Sequence, residues 1–303
     1  LAGVKDLNSI AIRPVCCVRK IMFCAIVIWL TFFQILSYSN AKHLRIIGGR
    51  DADREVYQVV VRLEYWTKNP GVILPGCSGC AVNPTWVLTA GHCLNDLMAT
   101  EKRFSVKITK QVIRYGNAMG HPWDKPSYSD VLDRITHPSF YGDEGTGILT
   151  NDIGLLRTTA INLNHFAKLS AVDYKTLIGL QVVAAGYGMT TWDKGLRTFT
   201  LHMNKSLQII DVVVNKCPKF ELQWQIRMAF PVICLSSRCK NKSYIYLGDS
   251  GGPVMHSSGV IAVNSLSVGD KFSGGVTPIS PYLAWIRGVV NNVFITPARK
   301  VGQ

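Results

Sequence analysis

Gly248-Asp249-Ser250-Gly251-Gly252-Pro253 places a serine among glycines near the C-terminal end of the 303-residue chain. A serine hydroxyl is a weak nucleophile unless a base removes its proton and hydrogen-bond donors stabilise the oxyanion that forms. Glycines permit a sharp backbone turn and let successive N–H groups converge on one point, which a Cβ atom would obstruct. The stretch suggests a nucleophilic Ser250, although an ordinary Ser/Gly turn has the same pattern.

The same residues match the Gly-x-Ser-x-Gly elbow of α/β-hydrolases, so the chain order of the partner residues must decide between folds. In α/β-hydrolases the histidine follows the serine in sequence. The histidine that follows Ser250 is His256, six residues later. It is too near to return from a separate strand loop, and the α/β-hydrolase interpretation therefore fails.

Two upstream segments contain the base and the acid that such a serine needs. Leu88-Thr89-Ala90-Gly91-His92-Cys93 places a histidine after an apolar strand and beside a cysteine. Asn151-Asp152-Ile153-Gly154-Leu155-Leu156 places an acid just before another apolar strand. An aspartate buried beside an imidazole fixes its tautomer and stabilises the imidazolium. The pattern favours His92 as the base and Asp152 as its partner over surface or turn roles.

Short runs of β-branched and aromatic residues recur between turn signals, for example at 57–63, 86–89, 153–156, 181–185 and 259–263. Many short strands with polar turns favour an all-β sandwich or barrel. One amphipathic helix is predicted at 280–293, with Ser280 as its cap and Pro281 in its first turn. His121–Gly147, rich in Pro, Gly, Asp and Tyr, is predicted to be a loop bridging two halves of the chain.

In the order His92, Asp152, Ser250, these segments resemble the chymotrypsin/trypsin family of serine proteases, and the resemblance extends from Ile46 to about Ile286. It implies an all-β fold of two antiparallel β-barrels with a C-terminal α-helix. It also implies that the three side chains form a catalytic triad in the cleft between the barrels. The family needs no cofactor and no metal for this chemistry.

The resemblance divides the protease domain, residues 46–303, into two barrels of about 46–160 and 161–303. It assigns the backbone N–H groups of Gly248 and Ser250 to the oxyanion hole. Gly186-Tyr187-Gly188 is similar to the family's Gly-Trp-Gly turn, with tyrosine in place of tryptophan.

Arg45-Ile46-Ile47-Gly48-Gly49 resembles the family's activation site, with residues 42–45 as a short propeptide. Cleavage after Arg45 would free the Ile46 amine, which in the family inserts and pairs with the acid before the serine, here Asp249. A buried ammonium–carboxylate pair is a strong switch because either charge left alone is costly.

The cysteines fit a secreted protein, in which disulfides are expected. The resemblance implies bridges Cys77–Cys93 and Cys217–Cys234 and gives no partner to Cys80 or Cys239, which either pair with each other or remain free. A metal site is disfavoured because Cys77-x-x-Cys80 has no second pair of matching spacing.

The substrate pocket departs from the trypsin-like pattern. Tyr244, Ile245 and Tyr246 stand where aspartate, serine and cysteine would be, and no cysteine follows Ser250. Without a carboxylate the pocket does not capture Arg or Lys, unless Asp270 enters it by another route. We expect a shallow apolar pocket or a blocked one. The residues expected to contact substrate are Tyr244, Ile245, Ser265 and Ser267, with Ser265 lining the cleft near the aspartate.

The first 41 residues are predicted to be a secretory signal. The apolar run Met22–Phe33 follows Arg19 and Lys20 and precedes a small-residue exit. Residues 1–21 are interpreted as misread sequence upstream of the true start of the protein, which is Met22. The alternative is a membrane anchor at 21–38, which is short for a span of about 20 apolar residues. Asn204 and Asn241 begin glycosylation sequons.

The functional hypothesis is a secreted serine endopeptidase, made as a zymogen, whose specificity is not trypsin-like. Its expected partners are a protein or peptide substrate, an upstream trypsin-like activating protease and protein inhibitors, with a monomeric state. The net charge is +14, but the basic residues form no clustered run and no nucleic-acid motif is present. The alternative is a weakly active or inactive protease homologue that acts as a binding protein.

Overall fold

The computed structural model describes residues 49–53, 55–69, 72–94, 97–116, 127–143, 148–188, 192–193, 198–199, 206–217, 231–238, 243–266 and 272–291. Several predictions fall outside the described residues, namely the signal peptide at 1–41, the propeptide at 42–45, Ile46, both sequon asparagines Asn204 and Asn241, Cys239, Ser267 and Asp270.

The regular secondary structure of the described chain is mostly β-strand. The strands are β1 (Arg50–Asp51), β2 (Val60–Thr67), β3 (Ile73–Asn83), β4 (Trp86–Thr89), β5 (Ile108–Tyr115), β6 (Ser127–Thr136), β7 (Tyr141–Asp143), β8 (Ile148–Thr150), β9 (Gly154–Thr158), β10 (Gln181–Gly186), β11 (Trp192–Asp193), β12 (Thr198–Phe199), β13 (Gln208–Asn215), β14 (Ile233–Ser237), β15 (Pro253–His256), β16 (Gly259–Leu266) and β17 (Gly274–Pro278). The helices are α1 (Leu97–Phe104) and α2 (Leu283–Val290), and 3-10 turns cover His92–Leu94, Tyr174–Thr176 and Ser280–Tyr282.

These strands form two antiparallel barrels, which confirms the predicted fold class. The first barrel closes in the order β2-β3-β4-β9-β6-β5. In the second, β13-β10-β15-β16-β17-β14 closes through the pairing of β13 with β14, and β1 pairs with the start of β13 on the same edge as β14. Each barrel encloses its own apolar cluster, with Leu63 and Leu156 in the first and Val212 and Ile261 in the second.

Two further apolar clusters join the barrels to each other. In one, Leu88 and Leu155 of the first barrel pack with Val263 and with Ile286 of α2. In the other, residues at the start of β2 pack with β10 and β13. Because both clusters are buried, their apolar area opposes any separation of the barrels. In the described part of the chain, no helix is both long and apolar enough to span a bilayer.

Two local predictions were wrong. The predicted bridging loop at 121–147 contains β6, which pairs with β5 and β9. Most β6 side chains are exposed or half-buried, so the strand is held by its backbone ladder and lacks the apolar alternation that marks a strand. Ser280 does not cap its own helical turn, because its hydroxyl instead accepts a hydrogen bond from the distant N–H of Tyr174 at 3.1 Å.

A charged cluster is buried at the wall of the first barrel. The Glu64 carboxylate is fully buried and accepts hydrogen bonds from the guanidinium groups of Arg62 and Arg114. Burial alone would raise the pKa of Glu64, but the hydrogen bond and charge of Arg114 and the charge of Arg62 outweigh it, so this pKa lies below its ordinary value. The Glu64 carboxylate offsets one of the two guanidinium charges and gives both arginines a buried hydrogen-bond acceptor.

We expect Glu64→Gln to destabilise the protein by about 3–5 kcal/mol at pH 7, because removing one partner of a buried ion pair leaves charge uncompensated. The matched control is Asp133→Asn, which disrupts the exposed Arg157–Asp133 pair at 3.5 Å and should cost at most about 1 kcal/mol. Urea unfolding measures both.

The destabilisation should shrink as pH falls, because the Glu64 contribution is present above the unfolded-state pKa and is lost as pH passes through the lowered folded-state pKa. Equal, small losses in Glu64→Gln and Asp133→Asn would contradict the role assigned to Glu64.

Candidate active site

The antiparallel pairing of β4 with β9 brings His92 and Asp152 together. Thr89, the last residue of β4, lies opposite Gly154, the first residue of β9. In an antiparallel pair, the residues that follow one strand and those that precede the other emerge at the same end. His92 lies in the 3-10 turn three residues after β4, and Asp152 lies two residues before β9.

The Asp152 carboxylate is buried and fully engaged. Its Oδ1 accepts the backbone N–H of His92 at 2.8 Å, and its Oδ2 lies 2.8 Å from His92 Nδ1. Oδ2 also accepts the hydroxyl of Ser265 at 2.5 Å. Asp152 is 2% exposed, whereas a third of the His92 side chain is exposed (34%). The arrangement orients Nδ1 toward the acid and leaves the imidazole accessible from the cleft.

The ion pair shifts the pKa of both partners. Burial lowers the pKa of His92, but the charge of Asp152 and its hydrogen bond outweigh burial, so the His92 pKa lies above its ordinary value. Burial raises the pKa of Asp152, but the charge and hydrogen bond of His92, with the Ser265 hydroxyl, bring it below its ordinary value. A base with these properties accepts a proton readily and holds it as an imidazolium beside a carboxylate.

Asp152 is positioned by its neighbour, Asn151. Asn151 adopts a left-handed backbone (φ +48°), a conformation that asparagine tolerates better than most residues. Its side chain is held on both sides, because Nδ2 donates to the Ser139 carbonyl at 2.8 Å and Oδ1 accepts the Tyr282 hydroxyl at 2.9 Å. Burial, and secondarily the charge of Asp152, raises the pKa of Tyr282, so its hydroxyl remains a donor.

Ser265 reaches Asp152 from the second barrel. It lies in β16 between Asn264, which is opposite Val276, and Leu266, which is opposite Gly275, so it is the extra residue of a β-bulge. Bulges redirect a side chain from the regular alternation of a strand. This bulge accounts for a serine hydroxyl that points toward a carboxylate of the other barrel.

Ser250 is held in this region through its backbone. Its carbonyl accepts the N–H of Ser78 at 2.8 Å, and the next residue, Gly251, donates to the Asn264 carbonyl at 2.7 Å. Within the described residues, no hydrogen bond joins the Ser250 hydroxyl to His92, whose Nε2 lies 3.7 Å from Cys93 Sγ. Hydrogen bonds between catalytic groups are often long in substrate-free proteins and tighten on binding.

Both predicted disulfides are present in the structure, Cys77–Cys93 and Cys217–Cys234. The first joins the residue after His92 to the residue before Ser78. Cys77, His92 and Cys93 bring three atoms of metal-ligand type within 4.8 Å of one another, but the two sulfurs are bonded to each other and are not thiolates.

Cys80 is buried and outside any disulfide, and burial raises its pKa to about 12, so its thiol stays protonated.

Asp249, the predicted partner of the Ile46 amine, is fully buried in a cradle of backbone donors. Its Oδ1 accepts the N–H of Gly188 at 2.6 Å, and its Oδ2 accepts the N–H of Tyr246 at 3.0 Å. A Cβ atom on Gly188 would lie 2.4 Å from the Asp249 Cγ, and one on Gly186 would lie equally close to Oδ1. The close approach of this carboxylate explains both glycines of the Gly-Tyr-Gly turn.

The predicted pocket residues differ in exposure. Ile245 is 2% exposed and belongs to the core of the second barrel, where its backbone N–H donates to the Ser273 carbonyl at 2.7 Å. A Cβ atom on Gly274 would lie 2.7 Å from Ile245 Cδ1. Tyr244 and Tyr246 are half-buried. The isoleucine therefore fills the space beside Gly274.

Gly91 directly precedes His92 and is closely packed. A Cβ atom here would lie 2.8 Å from the ring of Phe140 and 3.2 Å from the backbone of Ile153. The ring occupies the space of the missing methyl group, so packing behind His92 is retained.

Three residues of this site were missed by sequence reasoning. Ser78 and Asn264 hold the Ser250 loop, and Tyr282 holds Asn151. Each is a polar residue within an apolar stretch, but such residues are common in strands and nothing in their spacing points to the loop they contact.

The comparisons with known proteins agree with this architecture. A family model described as Trypsin matches residues 46–286. Granzyme M of Homo sapiens is 26% identical over 265 residues, covering 84% of this chain and 92% of the relative. Serine protease SSP1 of Scolopendra subspinipes is 28% identical over 257 residues (80% and 82%), and CLIP domain-containing serine protease B10 of Anopheles gambiae is 28% identical over 264 residues (80% and 69%).

Among solved structures, neuropsin, a serine protease expressed in the limbic system of mouse brain, superposes with a TM-score of 0.60. It is 22% identical and covers 80% of this chain and 98% of its own, a similarity that supports the fold. The family match and these relatives define the protein as a serine endopeptidase. The chain belongs to the trypsin family.

We expect the His92 pKa, followed by NMR of the imidazole, to lie above its ordinary value of about 6.5. In Asp152→Asn the charge is lost and burial alone acts on the imidazole, so the pKa should fall below that value. Asp133→Asn, which removes an exposed carboxylate, should leave it unchanged. The same His92 pKa in wild type and Asp152→Asn would contradict the coupling.

Proposed function

We propose that the protein is a secreted zymogen whose activated form hydrolyses peptide bonds through an acyl-enzyme on Ser250. The observation that carries the proposal is the His92 imidazole held on the buried Asp152 carboxylate at 2.8 Å. Its supports are the Ser265 hydroxyl on the same carboxylate and the attachment of Ser250 to Ser78, beside the Cys77–Cys93 disulfide. A turn or surface role for His92 needs none of these contacts.

In the proposed reaction, the Ser250 Oγ attacks the peptide carbonyl carbon while its proton passes to His92 Nε2. Asp152 stabilises the imidazolium that results. The backbone N–H groups of Gly248 and Ser250 stabilise the oxyanion. His92 then returns the proton to the leaving amine as the C–N bond breaks. Water, deprotonated by His92, hydrolyses the ester and restores the Ser250 hydroxyl.

Activation is proposed to occur by cleavage between Arg45 and Ile46. The new ammonium would pair with Asp249, whose carboxylate already accepts backbone N–H groups from Gly188 and Tyr246. Because Tyr246 lies two residues before Gly248, a charge bound to Asp249 acts on the segment that carries the oxyanion donors. This proximity gives a physical route from cleavage to catalytic geometry.

The residue before the cleaved bond is proposed not to be Arg or Lys. Ile245 is buried against Gly274, and neither it nor its flanking tyrosines supplies the carboxylate that a basic side chain needs. An enzyme of this kind does not cut after Arg45 efficiently. A separate trypsin-like protease is therefore proposed as the activating partner.

Protein or peptide substrates agree with the protease names of the relatives. Secretion is supported by the two disulfides, which form in oxidising compartments, and by the apolar run Met22–Phe33. Protein inhibitors and a monomeric state stay predictions from the sequence.

A fluorophosphonate probe tests the proposed nucleophile. After cleavage at Arg45, the wild-type protein should be labelled and Ser250→Ala should not, because the probe needs an activated serine. The matched control is Ser257→Ala, which removes an exposed hydroxyl 3.4 Å from the His256 imidazole and should leave labelling unchanged. Absence of labelling in correctly processed wild type would favour the inactive homologue that acts by binding.

A second experiment tests the proposed dependence on another protease. Purified zymogen incubated alone should keep its uncleaved N-terminus, whereas added trypsin should produce the Ile46 terminus, both read by mass spectrometry. Ser250→Ala zymogen serves as the control that cannot cleave itself. The specificity proposal is wrong if wild-type zymogen generates the Ile46 terminus without added protease and Ser250→Ala zymogen does not. The protein would then accept basic residues, for instance through Asp270.

A further inference from the structure

Ser78 is a fully buried serine in β3 that contacts the Ser250 loop twice. Its backbone N–H donates to the Ser250 carbonyl at 2.8 Å, and its hydroxyl donates to the Gly248 carbonyl at 2.8 Å. The same hydroxyl oxygen accepts the N–H of Tyr187 at 2.9 Å. Its carbonyl accepts the Thr89 hydroxyl at 2.8 Å, at the end of β4 just before His92.

The hydroxyl joins two segments that the proposed activation must coordinate. One is the Gly248–Ser250 turn, which carries both oxyanion donors. The other is the Gly-Tyr-Gly turn, in which Tyr187 donates to Ser78 and the next residue, Gly188, donates to the Asp249 carboxylate. The Ser78 hydroxyl oxygen is therefore hydrogen-bonded both to the turn that donates to Asp249 and to the carbonyl of Gly248, the residue before Asp249.

Gly248 needs such a restraint. Its φ is +92°, a region that glycine adopts freely, and glycine has no side chain that packing could hold. The peptide plane after Gly248 is fixed when its carbonyl accepts the Ser78 hydroxyl. That plane lies between the two peptide planes that carry the Gly248 N–H and the Ser250 N–H, so fixing it removes conformational freedom between the two donors.

We propose that Ser78 is a positioning residue. Its hydroxyl holds the Gly248 carbonyl, and through it the oxyanion donors, in the geometry needed for peptide hydrolysis. This inference rests on the proposed function of Ser250. Ser78 does not contact the reacting atoms. Its effect should therefore appear in the stabilisation of the transition state rather than in the binding of substrate.

The size of the effect is bounded by two known costs. Removing an oxyanion donor outright lowers kcat by about 10²–10³, and a misplacement of about 1 Å at a reacting centre costs about 10². Loss of the Ser78 hydroxyl leaves the donors present but less restrained. We expect Ser78→Ala to lower kcat by about tenfold to a hundredfold, with KM nearly unchanged.

The experiment compares activated wild type, Ser78→Ala and Ser78→Gly in a peptide hydrolysis assay. A second readout is the affinity for a peptide aldehyde, whose adduct with Ser250 carries an oxyanion. The affinity should fall in parallel with kcat, which a purely structural role of Ser78 would not produce. The matched control is Ser129→Ala, a buried serine of the first barrel that donates to the Ala160 carbonyl at 2.7 Å.

Ser129→Ala should lose a comparable amount of stability, measured as the unfolding midpoint, and keep both kcat and aldehyde affinity. The second variant, Ser78→Gly, supplies the comparison if Ser78→Ala does not fold. Inactive wild type would overturn the proposed function itself. Active wild type with unchanged kcat and aldehyde affinity in a folded Ser78 variant would overturn the role of Ser78 alone.

Discussion

The geometry of the cleft depends on the hydrogen bonds that the buried Asp152 carboxylate accepts. This carboxylate belongs to the first barrel, but it accepts hydrogen bonds both from His92 of that barrel and from Ser265 of the second. A buried charge is stable only while its partners remain in place, because exposing it to an apolar surrounding without them is costly. These hydrogen bonds therefore fix the first barrel against the second beside the His92 imidazole.

A second set of contacts also joins the two barrels, here through a side chain of the first barrel that reaches the second. Ser78 of the first barrel contacts Gly248 and Ser250 of the second, and the Cys77–Cys93 disulfide ties Ser78 to the turn that carries His92. Asn264 completes the support by donating to the Asp249 carbonyl at 3.1 Å. His92 and Ser250 thus lie on different barrels. Hydrogen bonds between the barrels hold the surroundings of each residue, and the Cys77–Cys93 disulfide links the two sets, so a shift of either barrel would disturb both.

The parts that could be predicted from the sequence are those with a local signature. The segments around His92, Asp152 and Ser250 each combine a reactive residue with a strand or a glycine turn. Short apolar runs predicted an all-β sandwich or barrel, and the two barrels were implied by the family resemblance. The rest depends on tertiary contacts. Strand β6 has mostly exposed or half-buried side chains, and the hydroxyls of Ser78 and Ser280 contact residues more than 100 positions away. No pattern of neighbouring residues encodes such contacts.

The proposed catalysis requires His92, oriented by Asp152, to remove the proton of Ser250 in the activated protein. The most direct test is a crystal structure of the protein after cleavage between Arg45 and Ile46. We predict His92 Nε2 within about 2.6–3.2 Å of the Ser250 Oγ, with the contact from Nδ1 to Asp152 retained. An imidazole still bound to Asp152 but well beyond hydrogen-bond reach of the Ser250 hydroxyl would rule out His92 as the base.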